Sequence, residues 1–248
     1  MAISVRQISE KCLGSRRSLS VVQDLLGYSG GRVPQATSLT QELTRFRDME
    51  HLTLHIKIVS TATWAFASGI SIDQMIFSMR LVYGNANVAI LVRSTENLLL
   101  TDTDIDVGDC AGAATVDTNT LFNNRNSVVS NEIVVYFVRN VFNGGTKSWN
   151  GCATHPAGRP GASVASFASR WTLAHEVGHV LGNPHIENET LRFCPTTDRT
   201  PPEPSKCILT NLMTCCGTGN IPASIVPAFN DTQTTRIRDS DLTVRCPA

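Results

Sequence analysis

The sequence predicts an α+β fold, and three stretches carry that expectation. In the first, LTLHIKIVS at 52–60 and NVAILVRS at 87–94 have the apolar patterning of strands, and SIDQMIFSMRLVYG at 71–84 between them has the spacing of an amphipathic helix. In the second, EIVVYFVRN at 132–140 is continuously apolar, as buried parallel strands are. In the third, RWTLAHEVGHVL at 170–181 returns to helical spacing. The chain beyond it turns irregular and rich in Cys and Pro.

The first helix has Asp73 near its start, where a carboxylate suits the helix dipole, and Gly84 as its expected stop. The later helix is expected to begin near Ser166 or Ser169, with Trp171, Leu173, Ala174, Val177, Val180 and Leu181 as its packing surface. His51 and His55 fall in or beside the first strand and read as structural. His155 lies on a loop beside the expected cleft rim and reads as a solvated histidine, with contact to substrate as the alternative.

A chain of 248 residues accommodates one domain of about 150–200 residues plus an extension. Acidic and basic residues balance at 21 each, which argues against nucleic acid or an anionic membrane as the main partner and leaves a protein or peptide. The most apolar stretch, 52–70, is interrupted by His55 and Lys57 and so does not read as a membrane span. The first 47 residues carry seven basic and three acidic side chains and a glycine-rich break, GYSGGRVP, at 27–34. They read as an N-terminal extension or pro-segment ahead of a main domain at 48–248. No apolar h-region of the kind a signal peptide needs is visible at the N-terminus, so a secreted protein would have lost its signal or left by an unconventional route.

Secretion is nevertheless the expectation, because eight cysteines form an even, dense set that favours disulfides and an oxidising compartment. Cys194 and Cys207 bracket the polar excursion PTTDRTPPEPSK, and a disulfide between them would close it at its base. Adjacent Cys215 and Cys216 are expected to take different partners, with Cys110, Cys152 and Cys246 as candidates.

The chemistry concentrates in HEVGHVLGNPH at 175–185, which holds three of the six histidines. His175 and His179 stand four apart, a spacing that puts them on one helix face. A catalytic zinc takes three protein ligands and keeps one position for water, so His185 is the candidate third. A continued helix would carry His185 about 9 Å further along the axis, so the chain must turn back. Gly182 suits the left-handed conformation that ends helices, and Pro184 cannot continue one. Gly178 costs a helix about 1 kcal/mol relative to alanine, which implies that something packs closely against that turn. Glu176 follows the first ligand and falls where a general base would reach metal-activated water.

The pattern H-E-x-x-H-x-x-G-x-x-H, followed twenty-eight residues later by Met213 in NLMT at 211–214, resembles the metzincin clan of zinc endopeptidases. The resemblance implies a twisted mixed sheet with an antiparallel edge strand, two long helices and a smaller irregular C-terminal part after about residue 182. It implies one zinc ion on His175, His179 and His185, Glu176 as general base, and Met213 as an apolar floor in a tight turn. It places Gly151, Cys152 and Ala153 on the edge strand, where an extended peptide substrate would add as a further strand. It also raises Cys12 as a pro-segment zinc switch. Ile186 after the third histidine matches no common family choice, and Cys215 stands where some families have a tyrosine.

The expected function is therefore a zinc-dependent, secreted, monomeric endopeptidase. The rivals are a zinc-containing binding module or toxin subunit without hydrolysis, and a latent proenzyme. Calcium enters through Asp102, Asp104, Asp106 and Asp109 in TDTDIDVGD at 101–109, since clustered carboxylates suit that ion. The spacing departs from the EF-hand rule, so a solvated acidic turn is the first reading and calcium the alternative.

Overall fold

The computed structural model describes residues 49–59, 69–110, 114–128, 132–144, 148–190 and 207–245. The N-terminal extension, Cys12, Cys194 and Cys246 lie outside these residues. The fold is α+β, built on a mixed sheet in the order β2-β1-β4-β8-β7. Its strands are β1 (Glu50–Val59), β2 (Val88–Leu98), β4 (Ile133–Val138), β7 (Gly151–Cys152) and β8 (Gly161–Ala165). β1 runs parallel to β2 and β4, and β4 parallel to β8. β7 is antiparallel to β8 and ends the sheet, so the antiparallel edge expected at Gly151 and Cys152 is present; Ala153 follows just outside the ladder. A second, small sheet joins β3 (Asp104–Asp106), β5 (Asn140–Phe142) and β6 (Ser148–Trp149).

Alternation in β1 divides the core. Leu52, Leu54 and Ile56 face one side, with Met75, Met79, Val82, Trp171, Leu173 and Val177. Val59 faces the other, with Val134, Tyr136, Val138, Leu121 and Phe122. β4 is buried at all six positions, which explains its unbroken apolar run. The first side is covered by α1 (Ile72–Asn85) and α3 (Thr172–Val180), and the second by α2 (Val116–Phe122).

Ser71 caps α1 in a capping box with Gln74, satisfying two donors that a helix start leaves open. Gly84 does not stop this helix: the helix runs one residue further, and the reversal falls at Asn87 with φ 60°, asparagine being a residue type that tolerates the left-handed region. α3 starts at Thr172, later than expected. Ser169 instead forms the preceding turn, its N–H donating to Thr172 Oγ1 at 3.1 Å and its carbonyl accepting from Thr172 N–H at 3.1 Å. Tyr83 of α1, fully buried, donates its hydroxyl to the Ala174 carbonyl at 3.1 Å and so braces one helix on the other.

His51 and His55 are buried, and burial lowers the pKa of both. His55 Nε2 donates to Glu132 at 2.7 Å and its Nδ1 accepts from Ser94 at 2.6 Å, a structural role as expected. His155 is half-buried and stacks on Phe122 with ring centroids 6.5 Å apart, so it is packed and not simply solvated.

The disulfides correct the expected pairing. Cys207 bonds Cys216, not Cys194, and Cys110 bonds Cys152. The chain from 208 to 215 folds back on itself, with Asn211 N–H donating to the Ile208 carbonyl at 3.0 Å, and this brings the Cα atoms of Cys207 and Cys216 to 5.7 Å. Cys215 is also disulfide-bonded, so the two adjacent cysteines do take different partners.

In the acidic stretch at 101–109, two of the four aspartates meet protein donors, and nothing in the structure supports calcium there. Asp104 accepts from Arg139 Nε at 2.7 Å and Asn140 Nδ2 at 2.9 Å. Asp106 Oδ1 accepts from the Gly108 and Gly144 N–H groups at 2.9 and 2.8 Å. These carboxylates are taken up by protein donors, and β3 forms from the same residues. Among the described residues no helix is long and apolar enough to cross a membrane.

Candidate metal centre

α3 carries His175 and His179 on one face, four residues apart. The helix ends in a Schellman arrangement at Gly182, φ 88°. Gly182 N–H donates to the His179 carbonyl at 2.9 Å, and Asn183 N–H to the Gly178 carbonyl at 3.0 Å. The reversal expected at this glycine brings His185 back over the helix.

The three Nε2 atoms converge. His179 Nε2 lies 3.1 Å from His175 Nε2 and 3.1 Å from His185 Nε2, and all three ligand atoms fall within 4.8 Å of one another. Two of the rings have fixed tautomers. His175 Nδ1 donates to the Leu212 carbonyl at 2.8 Å, and His179 Nδ1 donates to the Asn183 carbonyl at 2.7 Å. A neutral imidazole that gives its proton at Nδ1 has a bare lone pair at Nε2, so the 3.1 Å contact between these two is lone pair to lone pair. Such a contact is repulsive unless a cation sits between them. Nitrogens about 2.0–2.1 Å from one tetrahedral zinc would stand about 3.3 Å apart, so the donor set and spacing fit that ion.

Burial reinforces the neutral state. The pKa of His175 is lowered to about 4 by burial and by His185, that of His179 to about 3 by burial and by His175, and that of His185 to about 4 by burial and by His179. Neutral imidazole is the form that binds a metal.

Glu176 is 7 % exposed, and burial raises its carboxyl to about 8. It packs against β7: a Cβ at Gly151 would fall 2.7 Å from Glu176 Cγ and 2.9 Å from its Oε1. The edge strand can approach the glutamate this closely only with glycine at 151.

Met213 is fully buried beneath α3. A Cβ at Gly178 would meet its Sδ at 2.5 Å, which identifies what packs against the helix turn whose glycine the sequence singled out. The turn holding Met213 also supplies backbone to the centre. Leu212 accepts from His175, and the Met213 carbonyl accepts from Ile186 N–H at 2.8 Å. Asn211 Oδ1 accepts from Met213 N–H at 2.8 Å, and Asn211 Nδ2 donates to Gln233 Oε1 at 2.9 Å in α5 (Asp231–Asp239).

Sequence reasoning missed Glu187. It lies in α4 (Ile186–Thr190) and is fully buried, its carboxylate accepting from Ile208 N–H at 3.0 Å, Thr214 Oγ1 at 2.6 Å and Cys215 N–H at 2.8 Å. Its only signal was an acidic residue two places past His185. The sequence also gave no sign of the carbonyls of Leu212 and Asn183, since backbone acceptors have no residue code.

No family model matches the chain, and no curated protein matches it. Among solved structures it is similar to metalloproteinase-II from Bacteroides fragilis, with a TM-score of 0.48 and 13% identity over 77% of this chain and 53% of that one. It is also similar to mature mirolysin from Tannerella forsythia in complex with a cleaved peptide, with a TM-score of 0.44 and 14% identity over 77% of this chain and 90% of that one. The chain spans about half the length of the first of these. Both are likenesses of shape, and the functional reading below rests on the centre's own geometry.

Two outcomes follow from this packing and burial. Gly178→Ala gains helix propensity but drives Cβ into Met213, and overpacking of this kind costs about 1–3 kcal/mol. The urea midpoint should fall, and a raised midpoint would contradict the contact. For the metal-free chain, each site histidine has a folded pKa below its unfolded value of 6.5, so the unfolded state binds more protons in between and stability falls as pH drops from about 6.5 towards 4. Glu176, raised to about 8, pulls the other way, one group against three. The urea midpoint of chelator-treated protein should therefore be lower at pH 5 than at pH 7, and an equal or higher midpoint at pH 5 would contradict the buried neutral cage.

Proposed function

We propose that the chain is a zinc-dependent endopeptidase of the metzincin type, secreted and monomeric, with its catalytic domain at 48–248 divided near Gly182. The observation that carries this reading is the convergence of three imidazole Nε2 atoms, two of them with fixed lone pairs, beside a buried, glycine-packed carboxylate. Three nitrogen donors hold a zinc ion while leaving it open to water, which is the arrangement of a catalytic site and not of a four-ligand structural one. This favours an enzyme over a binding module.

In this reading His175, His179 and His185 hold the metal, which when bound supplies Lewis-acid polarisation of the scissile carbonyl and acidifies water. Glu176 takes the proton from the attacking water at its carboxylate and delivers it to the departing amine nitrogen. Its burial keeps its proton affinity high, and a nearby cation opposes that shift, which suits a group that must accept and then release a proton near neutrality. β7 at Gly151 and Cys152, the last strand of the sheet among the described residues, is the edge to which an extended peptide would add, bringing its backbone alongside Glu176. Met213 forms the apolar floor under the histidines. Disulfides are consistent with an extracellular setting. The N-terminal 47 residues are proposed as the extension or pro-segment, with Cys12 as its candidate zinc-blocking thiol.

The test is cleavage of casein with and without a chelator, by the parent and by Glu176→Ala. The parent should cleave in a chelator-sensitive way. The variant should lose about 100- to 10,000-fold in rate and keep stoichiometric zinc. A Glu176→Ala chain as fast as the parent would refute the mechanism, and a parent inert even after removal of its first 47 residues would refute the peptidase reading.

A further inference from the structure

Glu187 is a buried carboxylate beside the centre that neither ligation nor proton transfer uses. Its two oxygens take three donors, from Ile208, Thr214 and Cys215. Ile208 and Cys215 are the residues just inside the Cys207–Cys216 disulfide. The carboxylate therefore gathers from within the same loop that the disulfide closes covalently. That loop carries Leu212, whose carbonyl fixes the His175 tautomer, and Met213, whose carbonyl accepts from Ile186 next to the third histidine.

The atoms of Glu187, Cys215 and Cys216 lie close enough together to suggest a second metal cluster. Both sulfurs are in disulfides, however, so this cluster has no thiolate to offer. A fully buried carboxylate is costly unless donors meet it, and charge-assisted hydrogen bonds are the strong ones. Three converging donors are a built site for Glu187 itself.

We propose that Glu187 is a positioning residue for the metal centre: its carboxylate ties the segment bearing His185 to the turn that orients His175, holding two of the three ligands in register. Its place two residues past His185 makes one short helix both the continuation of a ligand and the clamp on the methionine turn. Outer-shell groups that orient ligands characteristically change metal affinity when altered. The proposal rests on the histidines binding metal, as proposed above, and not on hydrolysis.

The experiment uses the full chain with its disulfides intact. Glu187→Gln replaces one acceptor oxygen with an amide NH2 group that faces a donor, and Thr214→Val removes a single donor from the same carboxylate. Zinc affinity is measured by competitive titration, the cobalt-substituted absorption spectrum reports ligand geometry, and circular dichroism of the metal-free chain reports folding. Glu187→Gln should weaken zinc binding by about 10- to 100-fold and shift the cobalt spectrum while the metal-free chain stays folded. Thr214→Val should move both in the same direction by less. A folded Glu187→Gln chain with the parent's affinity and spectrum overturns the proposal. If Glu187→Gln does not fold, Thr214→Val decides, and parental values there overturn it equally. Because neither readout needs cleavage, a parent that binds zinc but leaves casein intact overturns the peptidase reading alone.

Discussion

Two protons and the carbonyls that receive them set the chemistry of this protein. His175 and His179 each give an Nδ1 proton to a backbone oxygen, of Leu212 and Asn183 respectively, and this leaves their Nε2 lone pairs aimed at each other across 3.1 Å. An arrangement with such internal repulsion persists only where the surrounding fold over-determines it or a cation relieves it. Both carbonyls lie outside α3, one in the turn that ends the helix and one in the methionine turn. The centre is therefore not a property of the helix alone but of the loops folded around it.

Those loops are held from several directions. Gly182 reverses the chain, the Met213 carbonyl receives Ile186, and Met213 fills the space left by Gly178. Two disulfides within the described residues tie down the flanking parts: Cys207–Cys216 closes the loop of the methionine turn, and Cys110–Cys152 anchors β7 where Gly151 abuts Glu176. Behind them α1 braces α3 through Tyr83, and the parallel strands supply a core buried on both faces. Rigid support of this kind matters because ligand geometry tolerates little displacement.

Much of this was legible in the residues. Four-residue spacing, a glycine and a proline together require His185 to return, since a continued helix would carry it away; the structure has that reversal at Gly182. The unfavourable Gly178 signalled a close neighbour, found as Met213. The alternation of β1 and the unbroken apolar run of β4 matched one strand dividing two cores and another buried throughout. What stayed hidden depended on distant pairing. Cys207 bonds Cys216 because the intervening chain folds back through backbone hydrogen bonds that no side chain announces. The aspartates of β3 read as a solvated acidic turn, or less readily a calcium site, because their donors, Arg139, Asn140 and Gly144, come from far along the chain. Glu187 went unnoticed because its three donors lie twenty or more residues away. Ser169 and Gly84 failed as helix boundaries for a local reason: a hydroxyl can organise a turn before a helix as well as cap it, and glycine is tolerated in a last turn when another residue takes the reversal.

The central claim is that three imidazoles, and no thiolate, close around one zinc ion with a position left for water. X-ray absorption at the zinc edge of the purified protein tests it most directly. The account predicts stoichiometric zinc with three imidazole nitrogens and one oxygen at about 2.0–2.1 Å. A sulfur shell at about 2.3 Å, or zinc far below one equivalent, would contradict it.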